Sequence, residues 1–186
     1  MASLESSLQG KLILDSGKLV GSYFDRTVIL VCRHDESGAF GLVLNRPMKH
    51  NLGAVVGDEL MDSLVQTPLY SGGPVQPEAL SFLRETEMRP EFDILPTLTL
   101  GHSLEELKSE FAPESQKFRA RAYAGYAGWA AGQLDEEMKK GCWLTHPATV
   151  SAVFNMKPET LWGQVLREKG GVYRLVADCP DKPTLN

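Results

Sequence analysis

The stretch from Arg26 to Leu44 limits what this chain can fold into more than any other. Val28-Ile29-Leu30-Val31-Cys32 is an unbroken apolar run, His34-Asp35-Glu36-Ser37-Gly38 supplies turn chemistry, and Phe40 to Leu44 is apolar again. β-Branched side chains favour extended backbone, and a run without polar alternation fits a strand covered on both faces. The segment reads as a strand over Arg26 to Cys32, paired in a β-hairpin that a polar loop ending in glycine closes.

The rest of the chain adds short elements of both kinds. Strands are expected at Gly10 to Leu14, Leu80 to Leu83, Thr97 to Leu100, Lys117 to Tyr123 and Cys142 to Thr145. Asn51 to Leu64 has weak helical spacing broken by Gly53 and Gly57, which predicts two short helices. Ser103-Leu104-Glu105-Glu106 is a capping box, with Leu104 and Leu107 facing the core. A helix is expected from Ala130 to Lys140, its acidic residues early, its lysines late and Gly141 as a stop. Pro158 opens a last helix with Leu161, Trp162, Val165 and Leu166 on one stripe, ended by Gly170-Gly171. Strands and helices do not alternate regularly, so the expectation is an α+β fold: one domain with a mixed, mostly antiparallel sheet flanked by helices.

Length and charge remove several functions. At 186 residues, with 42% hydrophobic and 23% charged residues, the chain has ordinary globular composition for one domain. A net charge of −5 works against direct nucleic-acid binding, which needs a basic face to displace counterions. Cys32, Cys142 and Cys179 show no zinc or redox spacing, and Cys32 reads as a small buried hydrophobe. His34, His50, His102 and His146 lack metal-ligand spacing, so neither metal nor cofactor is expected. Met1 to Lys11 carries no apolar stretch of signal-peptide length and no later run approaches a membrane span, which makes the cytoplasm the expected address.

Three segments offer recognition chemistry. In Asn45-Arg46-Pro47 the proline holds Arg46 away from helical dihedrals, and such an arginine either grips a carboxylate or phosphate or pins a turn through backbone carbonyls. Gly72-Gly73-Pro74-Val75 lets backbone approach a ligand or makes a tight bend; it lacks the ending of a phosphate loop. Gly125-Tyr126-Ala127-Gly128-Trp129, running on to Gln133-Leu134, places small residues around two aromatics just before a helix. Its glycine spacing does not match the dinucleotide fingerprint, and the favoured reading is close helix packing with Tyr126 and Trp129 in the core.

Phe24-Asp25-Arg26-Thr27-Val28-Ile29-Leu30, His34 to Pro47 with its Gly-Leu-Val-Leu-Asn-Arg-Pro ending, Gly72-Gly73-Pro74-Val75 and Gly125 to Leu134 occur in one order. That set resembles the bacterial AlgH/YqgE family, UPF0301, over nearly the whole chain, with a core at about 10–175 of a single domain spanning 1–186. The resemblance implies a barrel-like α+β domain, no known cofactor, a transcriptional-regulator label and no established reaction. Two departures stand out: Asp15-Ser16-Gly17 where the family often has a proline, and Leu83-Arg84 where it often has Leu-His. The leading expectation is a non-catalytic binding or regulatory protein whose surface uses Asn45, Arg46, Gly72, Gly73, Trp129 and Gln133, with a small anionic ligand or a protein as partner. The alternative is a small hydrolase or transferase using His34, Asp35 or Cys32 on an anionic substrate near Arg46. His34 beside Asp35 is otherwise expected in a solvated turn.

Overall fold

The hairpin forms where the apolar runs demand it. The structure is a computed structural model and describes residues 7–57, 60–86, 94–110 and 119–179. Strands β1 (Lys11–Asp15), β2 (Val28–Asp35) and β3 (Gly38–Val43) pair in order, antiparallel. The turn is tighter than expected: Asp35 pairs with Gly38, so Glu36-Ser37 make the reversal and His34 and Asp35 lie in the strand. β4 (Pro47–Asn51) follows, then α1 (Gly53–Val56), α2 (Asp62–Val65), β5 (Pro68–Ser71), β6 (Val75–Glu85), β7 (Leu98–Gly101) and α3 (Leu104–Glu110). The chain continues through β8 (Ala120–Ala130), α4 (Gln133–Lys139), β9 (Trp143–Pro147), α5 (Val150–Phe154), α6 (Pro158–Lys169) and α7 (Tyr173–Ala177).

These elements make one α+β domain with a mixed sheet that does not close into a barrel. Its order is β4-β5-β8-β3-β2-β1-β9, with β6 on β8 and β7 on β6. Every pairing is antiparallel except β5 on β8. Alternation along β1 and β2 feeds two cores. Leu12, Leu14, Val28, Leu30 and Leu42 pack with Ala152, Val153, Leu161, Trp162, Val165 and Leu166 of α5 and α6. Ile13, Ile29, Val31 and Val43 pack with Trp129, Leu134 and Trp143. A third cluster, Leu52, Leu64, Leu69, Phe82 and Leu107, sits under α1 to α3. Among the described residues, no helix is long and apolar enough to cross a membrane.

Several local expectations hold. The α6 stripe is buried as a unit and Gly170, at φ 77°, ends the helix. The Ser103 hydroxyl accepts from the Glu106 N–H at 3.2 Å, as a capping box requires. The segment Gly125 to Ala130 departs from its reading: it is not the approach to a helix but the second half of β8, and α4 starts only at Gln133. Strand pairing overrides the low β-propensity of its glycines, because β8 has β3 on one edge and Val75 of β6 on the other. Lys117, expected in this strand, lies outside the described residues.

The glycines of β8 and of the Gly-Gly-Pro segment explain each other. β5 and β6 flank opposite edges of β8, so the three residues joining them must pass across that strand. Gly72 donates to the Ala124 carbonyl at 2.9 Å and accepts from Val43 N–H at 2.9 Å. A Cβ on Gly72 would stand 2.3 Å from the Gly125 oxygen, and one on Gly73 would stand 2.0 Å from the Tyr126 carbonyl carbon. Backbone crosses backbone here, and only glycine permits it. Gly73→Ala is therefore expected to cost several kcal/mol, well beyond the roughly 1 kcal/mol of strain expected for Gly132→Ala, which has φ 71° and open space around it. Urea-unfolding midpoints of the two variants check this.

Candidate functional site

A buried carboxylate organises the loop between β1 and β2. Asp15 is fully buried, and its Oδ1 accepts from the N–H groups of Gly17 (2.9 Å) and Leu19 (3.1 Å) while Oδ2 accepts from Arg26 N–H (2.9 Å). The Asp15 carbonyl accepts from Trp162 Nε1 at 3.0 Å, which ties α6 to the same point. Arg26 is held at φ 53°, an uncommon conformation for a residue with a side chain, and its guanidinium lies 4.9 Å above the Trp162 ring. Its Nη2 donates to the Cys179 carbonyl at 2.8 Å.

The Asn45-Arg46 pair closes the other side of this loop. Asn45 is buried; its Oδ1 accepts from Val28 N–H and its Nδ2 donates to the Arg26 carbonyl, both at 2.9 Å. Arg46, half-buried, donates from Nη2 to the Asp25 carbonyl and from Nη1 to the Asn45 carbonyl. Of the two readings for this arginine, the structure displays the turn-pinning bonds. Its charge still borders a cavity of about 490 Å³ lined by Asp25, Arg26, Arg46, Glu159, Trp162 and Arg167, among others. Arg167 reaches in from α6 and is held by Asp178 through Nε (3.2 Å) and Nη2 (2.7 Å). The first turn of α6, Pro158-Glu159-Thr160, forms one wall, and its N-cap residue Lys157 makes no side-chain cap.

The remaining expected residues gather elsewhere. Trp129 is buried, stacks on Phe24 with centroids 6.4 Å apart and donates from Nε1 to Glu137 Oε2 at 2.9 Å. The same oxygen accepts from Trp143 Nε1 at 2.7 Å, and Gln133 Nε2 donates to Oε1 at 3.0 Å. Gln133 Oε1 accepts from Ala130 N–H, which joins the end of β8 to the start of α4. Asn45 and Arg46 thus border the arginine cavity, Gly72 and Gly73 make a backbone crossing, and Trp129 and Gln133 anchor α4. The six do not converge on one pocket. Arg26 stands inside a motif quoted for family likeness, but nothing local marked it as a cavity residue; Arg167 reads as an ordinary exposed helix position.

The residues named for nucleophilic chemistry are also separated. A bulge between Val31 and Arg33 leaves Cys32 unpaired, so Cys32 and Arg33 share the face of Phe40 while His34 turns to the face of Ala39. His34 is not solvated as expected: its side chain is 8% exposed, Nδ1 accepts from Leu8 N–H at 3.1 Å, and Nε2 lies 3.5 Å from Asp135. Its acidic neighbour is Asp135 of α4 and not Asp35, which contacts Arg33 at 3.3 Å. Cys32 is buried, and desolvation pushes its thiol far above the ordinary range, which removes thiolate at neutral pH. Among the described residues, no cluster of three or more His, Cys, Asp or Glu could hold a metal ion.

Fold and site together define a single α+β domain with an incomplete mixed sheet and an arginine-bordered cavity at the base of α6. Residues 12–174 match the AlgH-like family (DUF179), and the chain belongs to that family. A UPF0301 protein of Chlorobium luteolum is 39% identical, covering 95% of this chain and 94% of its own. A UPF0301 protein of Cytophaga hutchinsonii is 31% identical over 96% and 98%. The solution structure of the AlgH protein from Pseudomonas aeruginosa superposes with a TM-score of 0.71 at 28% identity, covering 97% of this chain and 98% of that one. A crystal structure from Corynebacterium diphtheriae, 24% identical over 92% of each chain, shares the fold with a TM-score of 0.74.

Two measurements check the site geometry. Asn45→Ala leaves Val28 N–H and the Arg26 carbonyl without their partner and is expected to cost about 1–3 kcal/mol in denaturant unfolding. In a thiol titration with Ellman's reagent at neutral pH, exposed Cys179 reacts at once and Cys32 reacts only after denaturation.

Proposed function

We propose that this protein is a non-catalytic, regulatory binding protein whose ligand is a small carboxylate- or phosphate-bearing molecule held in the cavity of Arg26, Arg46 and Arg167. The observation that carries the reading is that three arginines from three segments line one cavity of about 490 Å³. Arginine presents a planar fork of donors suited to carboxylate and phosphate, and the volume falls in the range of roughly 300–1,000 Å³ usual for small-ligand pockets. Two carboxylates, Asp25 and Glu159, also line it and Asp178 pairs with Arg167, so the charges balance and a ligand of low charge is favoured. The uncapped first turn of α6 adds the positive end of a helix dipole to the same wall.

Arg26 supports the reading in a second way, because its left-handed backbone is the kind of local strain that concentrates at functional sites. A cytoplasmic address suits it, with Cys32, Cys142 and Cys179 all as free thiols. A protein that reads the ligand-bound state would be the natural partner, and the net charge of −5 argues against DNA in that role.

A thermal-shift series with inorganic phosphate, citrate and acetate at matched ionic strength tests the proposal. A ligand at about a hundredfold its dissociation constant stabilises the folded state by roughly 2.7 kcal/mol, which a melting curve resolves. At least one of these anions should raise the melting temperature, and Arg167→Gln should abolish the rise while folding normally, since Arg167 is half-exposed. A rise that persists in Arg167→Gln, or no rise with any anion, overturns the reading.

A further inference from the structure

A second site lies on the sheet, away from the arginine cavity. Arg33 of β2, Phe40 of β3 and Gly128 of β8 stand in one row across three adjacent strands, in register. Tyr126 is two residues from Gly128 on the same face of β8 and pairs with Val75 of β6. The Phe40 and Tyr126 rings are 4.9 Å apart with planes at 35°, and His102 meets Phe40 edge-on at 6.0 Å. Both rings are only partly buried, and Arg33, His102 and Gly128 are exposed. Cavities of about 580 and 400 Å³ open on this face and share Arg33 and Phe40.

Gly128 gives the arrangement its meaning. The other glycines of β3 and β8 are required by backbone: a Cβ on Gly38, Gly41 or Gly125 would stand 2.3, 2.8 or 2.5 Å from a carbonyl oxygen. At Gly128 no backbone comes near; a Cβ would meet Cε2 of Tyr126 at 3.1 Å and then Cγ2 of Val75 at 3.8 Å. Glycine in a strand interior weakens it, so its presence without a backbone reason marks a place kept open. The missing side chain lets the Tyr126 ring lie over the strand beside Phe40 and leaves the rings accessible from solvent. Ser81 Oγ, 3.1 Å from His102 Nδ1, fixes that imidazole and leaves its Nε2 for another partner.

We infer that this face is a stacking site for a planar heteroaromatic ligand bearing an anionic group, with a nucleoside monophosphate as the simplest example. A flat ring packs on Phe40 and Tyr126, whose paired faces suit offset stacking. The guanidinium of Arg33, 63% exposed and paired with the neighbouring Asp35 at 3.3 Å, takes the phosphate. His102 is placed to bond a base edge or the ribose. A long polyanion is disfavoured by the net charge of −5, whereas a single nucleotide is not.

Isothermal titration with AMP, GMP, CMP and UMP tests the inference, with adenosine and ribose 5-phosphate as half-ligands. At least one nucleotide should bind saturably, adenosine more weakly and ribose 5-phosphate not measurably. Tyr126→Ala and Gly128→Val should each weaken that nucleotide at least tenfold, and Arg33→Gln should weaken the nucleotide but leave adenosine unchanged. Urea midpoints establish that each variant is folded; if Gly128→Val is not, Tyr126→Ala decides alone. Absence of saturable binding by all four nucleotides overturns the inference. So does binding that Tyr126→Ala leaves intact, or binding lost with Arg167→Gln, which would move the nucleotide to the arginine cavity.

Discussion

The fold turns on the burial of Asp15. A carboxylate removed from water costs several kcal/mol unless its oxygens are satisfied, and here three backbone N–H groups from Gly17, Leu19 and Arg26 satisfy them. The loop between β1 and β2 is thereby wrapped around one point, and the carbonyl of the same residue receives α6 through Trp162. Because that loop also carries Phe24, Asp25 and Arg26, its placement decides both the aromatic packing against Trp129 and Trp143 and the position of the arginine cavity. Asn45 acts as the second fastener by bonding both sides of the Arg26 to Val28 turn.

The polar groups of this domain are spent mostly on joining elements. Glu137 illustrates the pattern, its two oxygens accepting from Trp129, Trp143 and Gln133 and so fixing α4 over the end of β8 and the start of β9. Charged hydrogen bonds of this kind are stronger than neutral ones and specify geometry. The consequence for function is that residues with suggestive chemistry divide into those consumed by architecture and those still facing solvent. Arg167 and Arg33 belong to the second group, paired at the surface with Asp178 and Asp35 respectively.

Much of this was legible along the chain, because it rests on local rules. The apolar run at Val28 to Cys32, the capping serine at Ser103, the stripe from Leu161 to Leu166 and the stop at Gly170 each follow from side-chain preference and period, and each appears where those rules place it. The α+β class follows from the irregular mixture of elements, and the AlgH-like family from four motifs in order. What failed locally was the segment Gly125 to Ala130. Its composition resembles a helix approach, yet it is a strand held between β3 and β6.

What the tertiary structure alone decided concerns non-local approach. The bulge at Cys32 is invisible in a sequence whose period of two would put Cys32 and His34 on one face, and it sets them on opposite faces. Gly72, Gly73 and Gly125 are ordinary breakers until the chain from β5 to β6 is seen to cross β8, after which each is explained by a carbonyl that would occupy its Cβ. Arg26 and Arg167, 141 positions apart in number, meet only because α6 docks on Asp15. The sequence by itself determined most of the elements, the family and the net charge, since these depend on neighbours along the chain and on composition. Which side chains share a cavity depends on register, bulges and crossings, and those are settled only when distant segments pack.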